Sequence, residues 1–555
     1  MSSPLDDDAG SPMGDAGSPV GGAGSPVGGG GSLVRGGVAG LAGAVVNAGS
    51  QFLIVVALTR GLDAGTAGAI FTATTLCLMV AGILRLDSGN GLIYFIARSR
   101  RHGRHDISRY FRTALGPVIV LSVITAVLVI VWADTITAAL VPTHATAASG
   151  SAVTSTAVTS MAVTSTASSS VRAASGSVTA VLGSALRVLG VALPVIVCAD
   201  VLVSATRGFG SMRPTALLSG VLQPGAQLVL VGTVALTGAA TGLSWALPAA
   251  WAVPALPVLI LSALWLRRRV PAGSYVTETR GSDAGGTTGP DVPRPDVPGT
   301  AGPDVPGTAG PDVPGTGGPD VQGTAGPYVG GTAGEFWRYV GPRALGGAVQ
   351  AVFQRLDIVI VAVLAGPEEA ALYTAATRFK VVGQLVNQGL TQAVQPRLIR
   401  ALAEGDLSLA RKLYQTTTMW LTVLTWPLWL GYAALAPWLL RVFGDGYRHG
   451  AAVAAVLAAT MMLATACGMA DVVLIAAGHT ASSMVNILGA IAVTIALDVV
   501  LVPSHGAFGA VLGWSGGVLA KNLLPLFQIA RRYELRPFGV HSLPSLRPWR
   551  AEEAT

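Results

Sequence analysis

Apolar runs of about twenty residues recur along the whole chain, and this recurrence limits the possible folds more than any other feature. Such a run matches the hydrocarbon core of a bilayer, which is about 30 Å thick. Lipid offers no partners to backbone N–H and C=O groups, so each run must be a helix that pairs them internally. The runs are 38–59, 66–86, 113–133, 179–204, 214–237, 243–266, 341–364, 370–394, 413–437, 450–477, 483–502 and 506–529. The sequence therefore predicts an all-α polytopic membrane protein with about 12 transmembrane helices.

Composition supports a membrane protein over a nucleic-acid-binding one. Hydrophobic residues make up 51% of the chain and charged residues only 11%, so a soluble fold would expose large apolar patches. The formal net charge of +7 comes mainly from arginines in short connections between the predicted helices. Positive charge in such places sets membrane orientation, so we expect membrane lipids as partners and no nucleic acid.

Three short tandem repeats interrupt the apolar pattern, at 9–29, 152–166 and 289–334. Segments of this kind bury too little apolar surface to offset their chain entropy, so we expect them to be disordered. The predicted organisation is a disordered tail 1–34, an N-terminal six-helix bundle 35–269 with an external Ser/Thr-rich loop 143–177, a disordered linker 270–334, a C-terminal six-helix bundle 335–536, and a tail 537–555.

Arginines cluster after the even-numbered predicted helices, which indicates the orientation of the chain. Examples are Arg98 to Arg112 after the second helix and Arg267 to Arg269 after the sixth, whereas Glu368 and Glu369 follow the seventh. Only the connection after the ninth helix, with Arg441 and Arg448, departs from the alternation. The positive-inside rule then predicts that both termini and the linker are cytoplasmic. The Ala- and Arg-rich composition favours a bacterial cell membrane protein, of the actinomycete type.

Sequence signatures of nucleotide and zinc-protease sites are absent. The chain contains no GxxxxGK[ST] or HExxH motif, which argues against an ATP site and against a zinc-protease centre. Cys77, Cys198 and Cys467 lie inside predicted helices and lack the spacing of a metal site. We therefore expect no catalytic residues, no metal and no cofactor, and transport becomes the leading hypothesis.

Ionisable residues inside the seventh and eighth helices are the informative exceptions, because charge inside a membrane is costly unless it is paired or faces water. They are Arg355, Asp357, Arg378 and Lys380. In a helical hairpin, Asp357 and Arg378 lie at similar depth, which predicts an ion pair between them. The pair either fixes helix register only or, with its excess of positive charge, contributes to a site for an anionic group such as a diphosphate.

Helical geometry limits how many of these residues can share a site. Residues two apart point in nearly opposite directions on a continuous helix, so Arg378 and Lys380 should not both line one cavity. Asn47 and Gln51 lie four apart on the first helix. They either line the same cavity or bond to a neighbouring helix, and they complete the candidate substrate-binding set.

Several motifs resemble those of polysaccharide exporters of the multidrug/oligosaccharidyl-lipid/polysaccharide superfamily. In the C-terminal half they are EFWRY from Glu335, QRLDIVIVAVLAG at 354–366, ALYTAATRF at 371–379, QPRLIRAL at 395–402, RVFGDGYRHGA at 441–451 and VPSHGAFGAVLG at 502–513. In the N-terminal half they are VALTRGLDAGTAG at 56–68 and LRLDSGNGLIYFIAR at 84–98. O-antigen and other lipid-linked oligosaccharide flippases are the most similar branch.

The resemblance implies two six-helix bundles around a central cavity, working by alternating access. It further implies that Arg355 and Arg378 hold the diphosphate of a polyprenyl-linked saccharide, with Asp357 as their orienting partner. Polysaccharide biosynthesis, as in lipopolysaccharide assembly, would supply the substrate and other membrane proteins as partners. The alternatives within the superfamily are a lipid II flippase and a cation-coupled multidrug exporter, and outside it a membrane-embedded saccharide polymerase or ligase.

Overall fold

The computed structural model describes residues 29–101, 107–141, 161–237, 243–269, 333–539 and 542, and this part of the chain is helical without a strand. The helices are α1 Gly29–Gly61, α2 Ala64–Leu84, α3 Ser88–Arg101, α4 Ile107–Val131, α5 Ala133–Leu140, α6 Met161–Gly208, α7 Gln223–Leu236, α8 Ala246–Ala252, α9 Ala255–Arg267, α10 Ala333–Phe353, α11 Leu356–Ala365, α12 Pro367–Thr377, α13 Lys380–Ala403, α14 Leu407–Leu440, α15 Ala451–Ala466, α16 Ala470–Ala476 and α17 Thr480–Tyr533. A π-helical stretch, Ala216–Leu222, precedes α7, and two 3-10 turns join α14 to α15. The predicted all-α membrane fold is confirmed.

Within the described ranges, nine helical segments are long and apolar enough to cross a membrane, and the bent pair α10–α11 adds a tenth. Helix α17 has 54 residues, about 80 Å at 1.5 Å per residue, so it crosses twice, with its break at Gly506. Helices α12 and α13 form the remaining pass, which carries more polar residues than the others. These passes account for the twelve predicted from the sequence, six on each side of the linker.

Two predicted boundaries differ from the structure. Helix α1 begins at Gly29 and not at residue 38, so its first residues extend into the tail predicted to be disordered. Helix α6 begins at Met161 and not at residue 179, so the end of the Ser/Thr repeat is helical. Once an apolar segment has nucleated a helix, each further residue adds at little cost, even where composition alone predicts disorder. The remaining parts of the predicted tails, loop and linker lie outside the described residues.

Local sequence explains several helix ends. The Asp63 carboxylate accepts a hydrogen bond from the Thr66 amide at 2.8 Å and caps the start of α2. Asp406 caps α14 in the same way. Hydrogen bonds from the Ser408 hydroxyl and the Leu409 amide lower the pKa of the Asp406 carboxyl, because they favour its ionised form. Gly506 has φ +53, a conformation that glycine adopts readily, and it divides α17 into its two passes.

Several passes that the apolar pattern predicts as continuous helices are broken in the structure. The tenth, predicted over 450–477, breaks between Ala466 and Ala470, where Gly468 has a positive φ value. The seventh breaks between Phe353 and Leu356, and the eighth between Thr377 and Lys380. Hydrophobicity locates a membrane-spanning stretch but does not reveal where its backbone turns, so the predicted continuity was wrong.

The two six-helix halves meet at the end that the charge pattern assigns to the outside. The Arg60 guanidinium donates hydrogen bonds to the carbonyl oxygens of Val442 at 2.9 Å and Arg441 at 2.6 Å, so a side chain of the N-terminal half caps a helix end in the C-terminal half. Close to this contact, a Cβ added at Gly68 would overlap the Pro367 carbonyl. The backbones of α2 and α12 are therefore in direct contact here. We call this region, Arg60–Gly68 with Pro367 and Arg441–Val442, the outer seam.

The halves are also joined at the opposite end, where α3 and the turn before it meet α10. Arg98 forms an ion pair with Glu335 at 3.1 Å, and Arg343 pairs with Asp87 at 3.0 Å. Each pair connects the N-terminal half with the first helix of the C-terminal half. The second pass therefore contacts the eighth pass at the outer seam and the seventh pass at the opposite end.

Arg60→Ala should weaken the outer seam, since it removes two hydrogen bonds between the halves. We expect the fraction of molecules in which the two halves are separated at the outer seam to rise by roughly tenfold. Spin labels at Ala64 and Asp445, in a variant without the native cysteines, would report the distance across the seam. Arg187→Ala is the control, because Arg187 pairs with Asp134 inside one half. An unchanged distance distribution in Arg60→Ala would contradict the assigned role.

Candidate functional site

A cavity of about 530 Å³ lies between the two halves, within the size range of pockets that hold small ligands. Both halves contribute to its wall. From the N-terminal half the polar lining residues are Gln51, Thr74 and Thr75, and the aromatic ones are Phe71 and Trp251. The C-terminal half contributes the charged residues and most of the amides. Its polar and charged lining residues are Gln350, Gln354, Arg355, Thr377, Arg378, Lys380, Gln384, Asn387, Gln388, Thr465, Lys521 and Asn522.

Charge on this wall is of one sign. Arg355, Arg378, Lys380 and Lys521 line the cavity, and no aspartate or glutamate is among its described lining residues. All four cations belong to the C-terminal half. In an environment of lower dielectric than water their mutual repulsion is stronger than at a protein surface, so the cavity favours an anionic occupant.

Helix breaks place three of these cations on the same wall. Arg355 stands in the break before α11, with φ −135, and Arg378 stands in the break between α12 and α13. Lys380 is the first residue of α13. The prediction that Arg378 and Lys380 cannot share a cavity was wrong, because it assumed a continuous helix at this point.

Asp357 lies behind the wall and not in it, with 1% of its surface exposed. Its carboxylate accepts a hydrogen bond from the Tyr373 hydroxyl at 2.9 Å and lies 3.4 Å from the Lys380 Nζ. The predicted ion pair between Asp357 and Arg378 is therefore replaced by one with Lys380. Lys380 is thus the cation in contact with Asp357, and neither Arg355 nor Arg378 forms an ion pair among the described residues.

Arg378 has no described partner for part of its guanidinium. Its Nε is buried without a hydrogen bond among the described residues. A buried donor left unpaired costs about 1–3 kcal/mol, and more when the group is charged. A ligand with oxygen acceptors in the cavity would remove this cost, and a guanidinium suits phosphate oxygens because it can donate two parallel hydrogen bonds.

The structure separates the two polar residues predicted on the first helix. Gln51 lines the cavity, and its Nε2 donates to Gln227 Oε1 at 3.3 Å. Asn47 is exposed on the described surface and does not line the cavity. The sequence left open whether Gln51 lines the cavity or bonds to a neighbouring helix, and in the structure it does both.

Lys521 is a cavity residue that the sequence reasoning did not select. It lies in the second pass of α17, with its Nζ 5.3 Å from the centre of the Phe353 ring. Its position in the middle of the predicted helix 506–529 was the available signal, because a lysine there must face a cavity or a partner. Gln227 was also missed, and nothing in the sequence distinguishes it from other helical glutamines.

Asp498 is a second buried carboxylate of the C-terminal half, and it is fully buried. Neither of its oxygens has a hydrogen-bond partner in the described part of the chain, and the same holds for the Thr494 hydroxyl one turn earlier. A Cβ at Gly513 would overlap the Asp498 carboxylate, so two passes of the membrane approach closely here. An ionised carboxylate without partners is too costly to bury, so Asp498 requires a proton or another cation.

The Asp357–Lys380 pair can be tested by a double-mutant cycle. Lys380→Met should destabilise the protein by about 2–4 kcal/mol, because it leaves a buried carboxylate without its cation. The double variant Lys380→Met/Asp357→Asn should be more stable than Lys380→Met alone, as thermal unfolding in detergent would show. The matched control cycle uses the exposed pair Arg187–Asp134, where we expect a coupling below about 1 kcal/mol. Additive effects at Lys380 and Asp357 would contradict the pairing.

Comparison with known proteins gives a consistent picture. The family model described as "Polysaccharide biosynthesis protein" matches residues 330–450, a segment that contains Arg355, Asp357, Arg378 and Lys380. A search of the curated proteins gives no match.

Solved structures match over most of the chain. An inward-facing multidrug resistance MATE family transporter of the MOP superfamily aligns with a TM-score of 0.61 and 13% identity, covering 88% of this chain and 98% of its own. The lipid II flippase MurJ in an inward closed conformation aligns with a TM-score of 0.59 and 11% identity. The alignment covers 89% of this chain and 87% of MurJ. A MOP superfamily transporter from Pyrococcus furiosus, described as having a binding pocket of reverse polarity, aligns with a TM-score of 0.52 and 14% identity. The alignment covers 91% of this chain and 95% of that transporter.

At these identities the structural matches establish the fold, which is that of the multidrug/oligosaccharidyl-lipid/polysaccharide superfamily. The family match independently concerns the segment that carries three of the four cavity cations. The chain thus shares the fold of these transporters, and its segment 330–450 is similar to polysaccharide biosynthesis proteins.

Proposed function

We propose that this protein moves a polyprenyl-diphosphate-linked saccharide from the inner to the outer leaflet of the cell membrane by alternating access. The observation that carries the proposal is the charge of the cavity, with four cations and no carboxylate among its described lining residues. A diphosphate head group supplies the missing negative charge.

The arrangement of the cations fits a diphosphate better than a single carboxylate. Arg355 and Arg378 stand on adjacent passes at two helix breaks, and Lys521 comes from a third pass. Cations on three passes can surround a group with several anionic oxygens. The amide NH₂ groups in the same wall, such as those of Gln384 and Asn387, can donate further hydrogen bonds to the diphosphate oxygens.

The size of the cavity also fits a lipid-linked head group. A volume of about 530 Å³ is in the range of drug-sized ligands, which is far less than a polymer requires. The proposed substrate is therefore a lipid-linked precursor, with its polyprenyl chain remaining in the membrane. We propose the polysaccharide-assembly enzymes of the same membrane as partners that supply and consume it.

A cation gradient is the driving force that the structure favours. Asp498 is fully buried and unpartnered among the described residues, and it requires a proton or another cation to neutralise it. It lies in the same half as the cavity cations. Uptake and release of a proton or cation at Asp498 would give the protein two charge states. Consumption of the product outside the cell would add to the driving force for transport.

The charge of the cavity argues against export of cationic drugs. Several matching structures are MATE family transporters, and the inward-facing one described above is a multidrug resistance transporter. A cationic drug in this cavity would face four positive side chains without a counter-charge in its described wall. We therefore propose the lipid-linked saccharide and not a cationic drug as substrate.

Arg378→Ala should weaken binding of inorganic pyrophosphate to the purified protein by about 10-fold or more, since hydrogen bonds to charged groups contribute about 1.5–3 kcal/mol each. Isothermal titration calorimetry would measure the change. Arg378→Lys should retain part of the affinity, because it keeps the charge but loses the bidentate geometry. The control is Arg109→Ala, at an exposed arginine outside the cavity. Equal affinities of Arg378→Ala and the wild type would remove this residue from the site.

Deletion of the gene provides the corresponding test in cells. We expect lipid-linked saccharide to accumulate on the cytoplasmic leaflet and surface polysaccharide to fall. Complementation with Arg109→Ala should restore both, and complementation with Arg378→Ala should not. Unchanged lipid-linked intermediates together with increased retention of a cationic dye would favour a drug exporter instead.

A further inference from the structure

The two walls of the cavity differ in chemistry, and the difference concerns where the saccharide binds. All four cations lie on the wall of the C-terminal half, while the described wall of the N-terminal half carries no charged residue. Its polar residues are Gln51, Thr74 and Thr75, set among apolar residues that include Phe71 and Trp251. An anionic group has nothing to neutralise it on this second wall.

A chain of hydrogen bonds fixes the orientation of the Gln51 amide. The Trp251 backbone carbonyl can only accept, so Gln227, which lies 2.9 Å from it, must direct its NH₂ group toward that oxygen. The Gln227 carbonyl oxygen is then the atom facing Gln51, at 3.3 Å, and Gln51 must donate through its own Nε2. The orientation therefore follows from the hydrogen-bonding network and not from an arbitrary choice of amide rotamer.

This orientation leaves the Gln51 Oε1 as an acceptor. No described residue donates to it, and Gln51 is part of the cavity wall. Gln227 is 3% exposed, so it serves Gln51 and not a ligand. A carbonyl oxygen repels a phosphate and attracts a hydroxyl donor. A group that binds to this oxygen must therefore be a hydrogen-bond donor, and a hydroxyl group meets this requirement.

We propose that the N-terminal wall is a saccharide subsite, in which the Gln51 Oε1 accepts a hydrogen bond from a sugar hydroxyl. Gln227 is a positioning residue that holds the Gln51 amide. This proposal rests on the proposed function, because it assigns the diphosphate to the cationic wall and the sugar to the neutral wall. The selectivity among lipid-linked saccharides then resides in the N-terminal half.

Binding measurements with matched probes test the subsite. The probes are farnesyl diphosphate and farnesyl-diphosphate-linked glucose, galactose and N-acetylglucosamine, titrated into the full-length protein in nanodiscs. For the sugar-bearing probe that binds the wild type most tightly, Gln51→Leu should weaken binding by about 3- to 10-fold, the effect of one hydrogen bond. Its affinity for farnesyl diphosphate should stay within about twofold. Asn47→Leu, on the same helix but outside the cavity, should change neither.

Each outcome has a distinct meaning. The proposal fails if Gln51→Leu weakens both kinds of probe equally, if it weakens neither, or if no sugar-bearing probe binds the wild type more tightly than farnesyl diphosphate. Failure of the proposed function looks different, because farnesyl diphosphate itself would then not bind the wild type.

The role of Gln227 is tested by non-additivity. Gln227→Leu frees the Gln51 amide to rotate, so it should reduce the preference for the sugar-bearing probe while farnesyl diphosphate still binds and reports a folded protein. The double variant Gln51→Leu/Gln227→Leu should lose no more preference than Gln51→Leu alone, since Gln227 acts through Gln51. Additive losses of preference would show that Gln227 does not act by positioning Gln51.

Discussion

Positive charge held inside a membrane protein is the constraint on which the rest of this structure depends. Four cationic side chains line one cavity, and their removal from bulk water is costly unless a counter-charge or water compensates. Lys380 forms an ion pair with Asp357 behind the wall, whereas the two arginines form no ion pair among the described residues. We propose that an anionic substrate stabilises the two arginines.

Backbone breaks make this concentration of charge possible. A continuous helix would direct neighbouring cations to different faces, whereas the breaks beside Arg355 and Arg378 turn both side chains toward the space between the halves. The same breaks separate Asp357 from Arg378 and bring it to Tyr373 and Lys380. Local irregularity in two adjacent passes thus determines both the charge of the cavity and its counter-ion. Irregular backbone of this kind is tolerated in a membrane where it lines a cavity.

The sequence was sufficient for the number of passes, because hydrophobic length is a property of short segments. It also singled out Arg355, Arg378 and Lys380 as intramembrane cations, but it wrongly predicted that Arg378 and Lys380 could not share a cavity. It was insufficient for the ion pair, since the partner of Asp357 depends on where the helices break. Lys521 could have been selected as an intramembrane lysine. The bond from Gln51 to Gln227 could not, because it joins residues 176 positions apart whose contact depends on packing between helices. The orientation of the termini remains a prediction from the arginine pattern.

The division of the cavity into a cationic wall and a neutral wall gives the two halves different tasks. The C-terminal half holds charge, including the buried Asp498, and the N-terminal half offers neutral hydrogen-bonding and aromatic surface. Transport in reconstituted vesicles tests the central claim most directly. With a fluorescent farnesyl-diphosphate-linked saccharide placed in one leaflet, the protein should accelerate its appearance in the other and leave the distribution of ethidium unchanged. Movement of ethidium without movement of the lipid-linked saccharide would contradict the account.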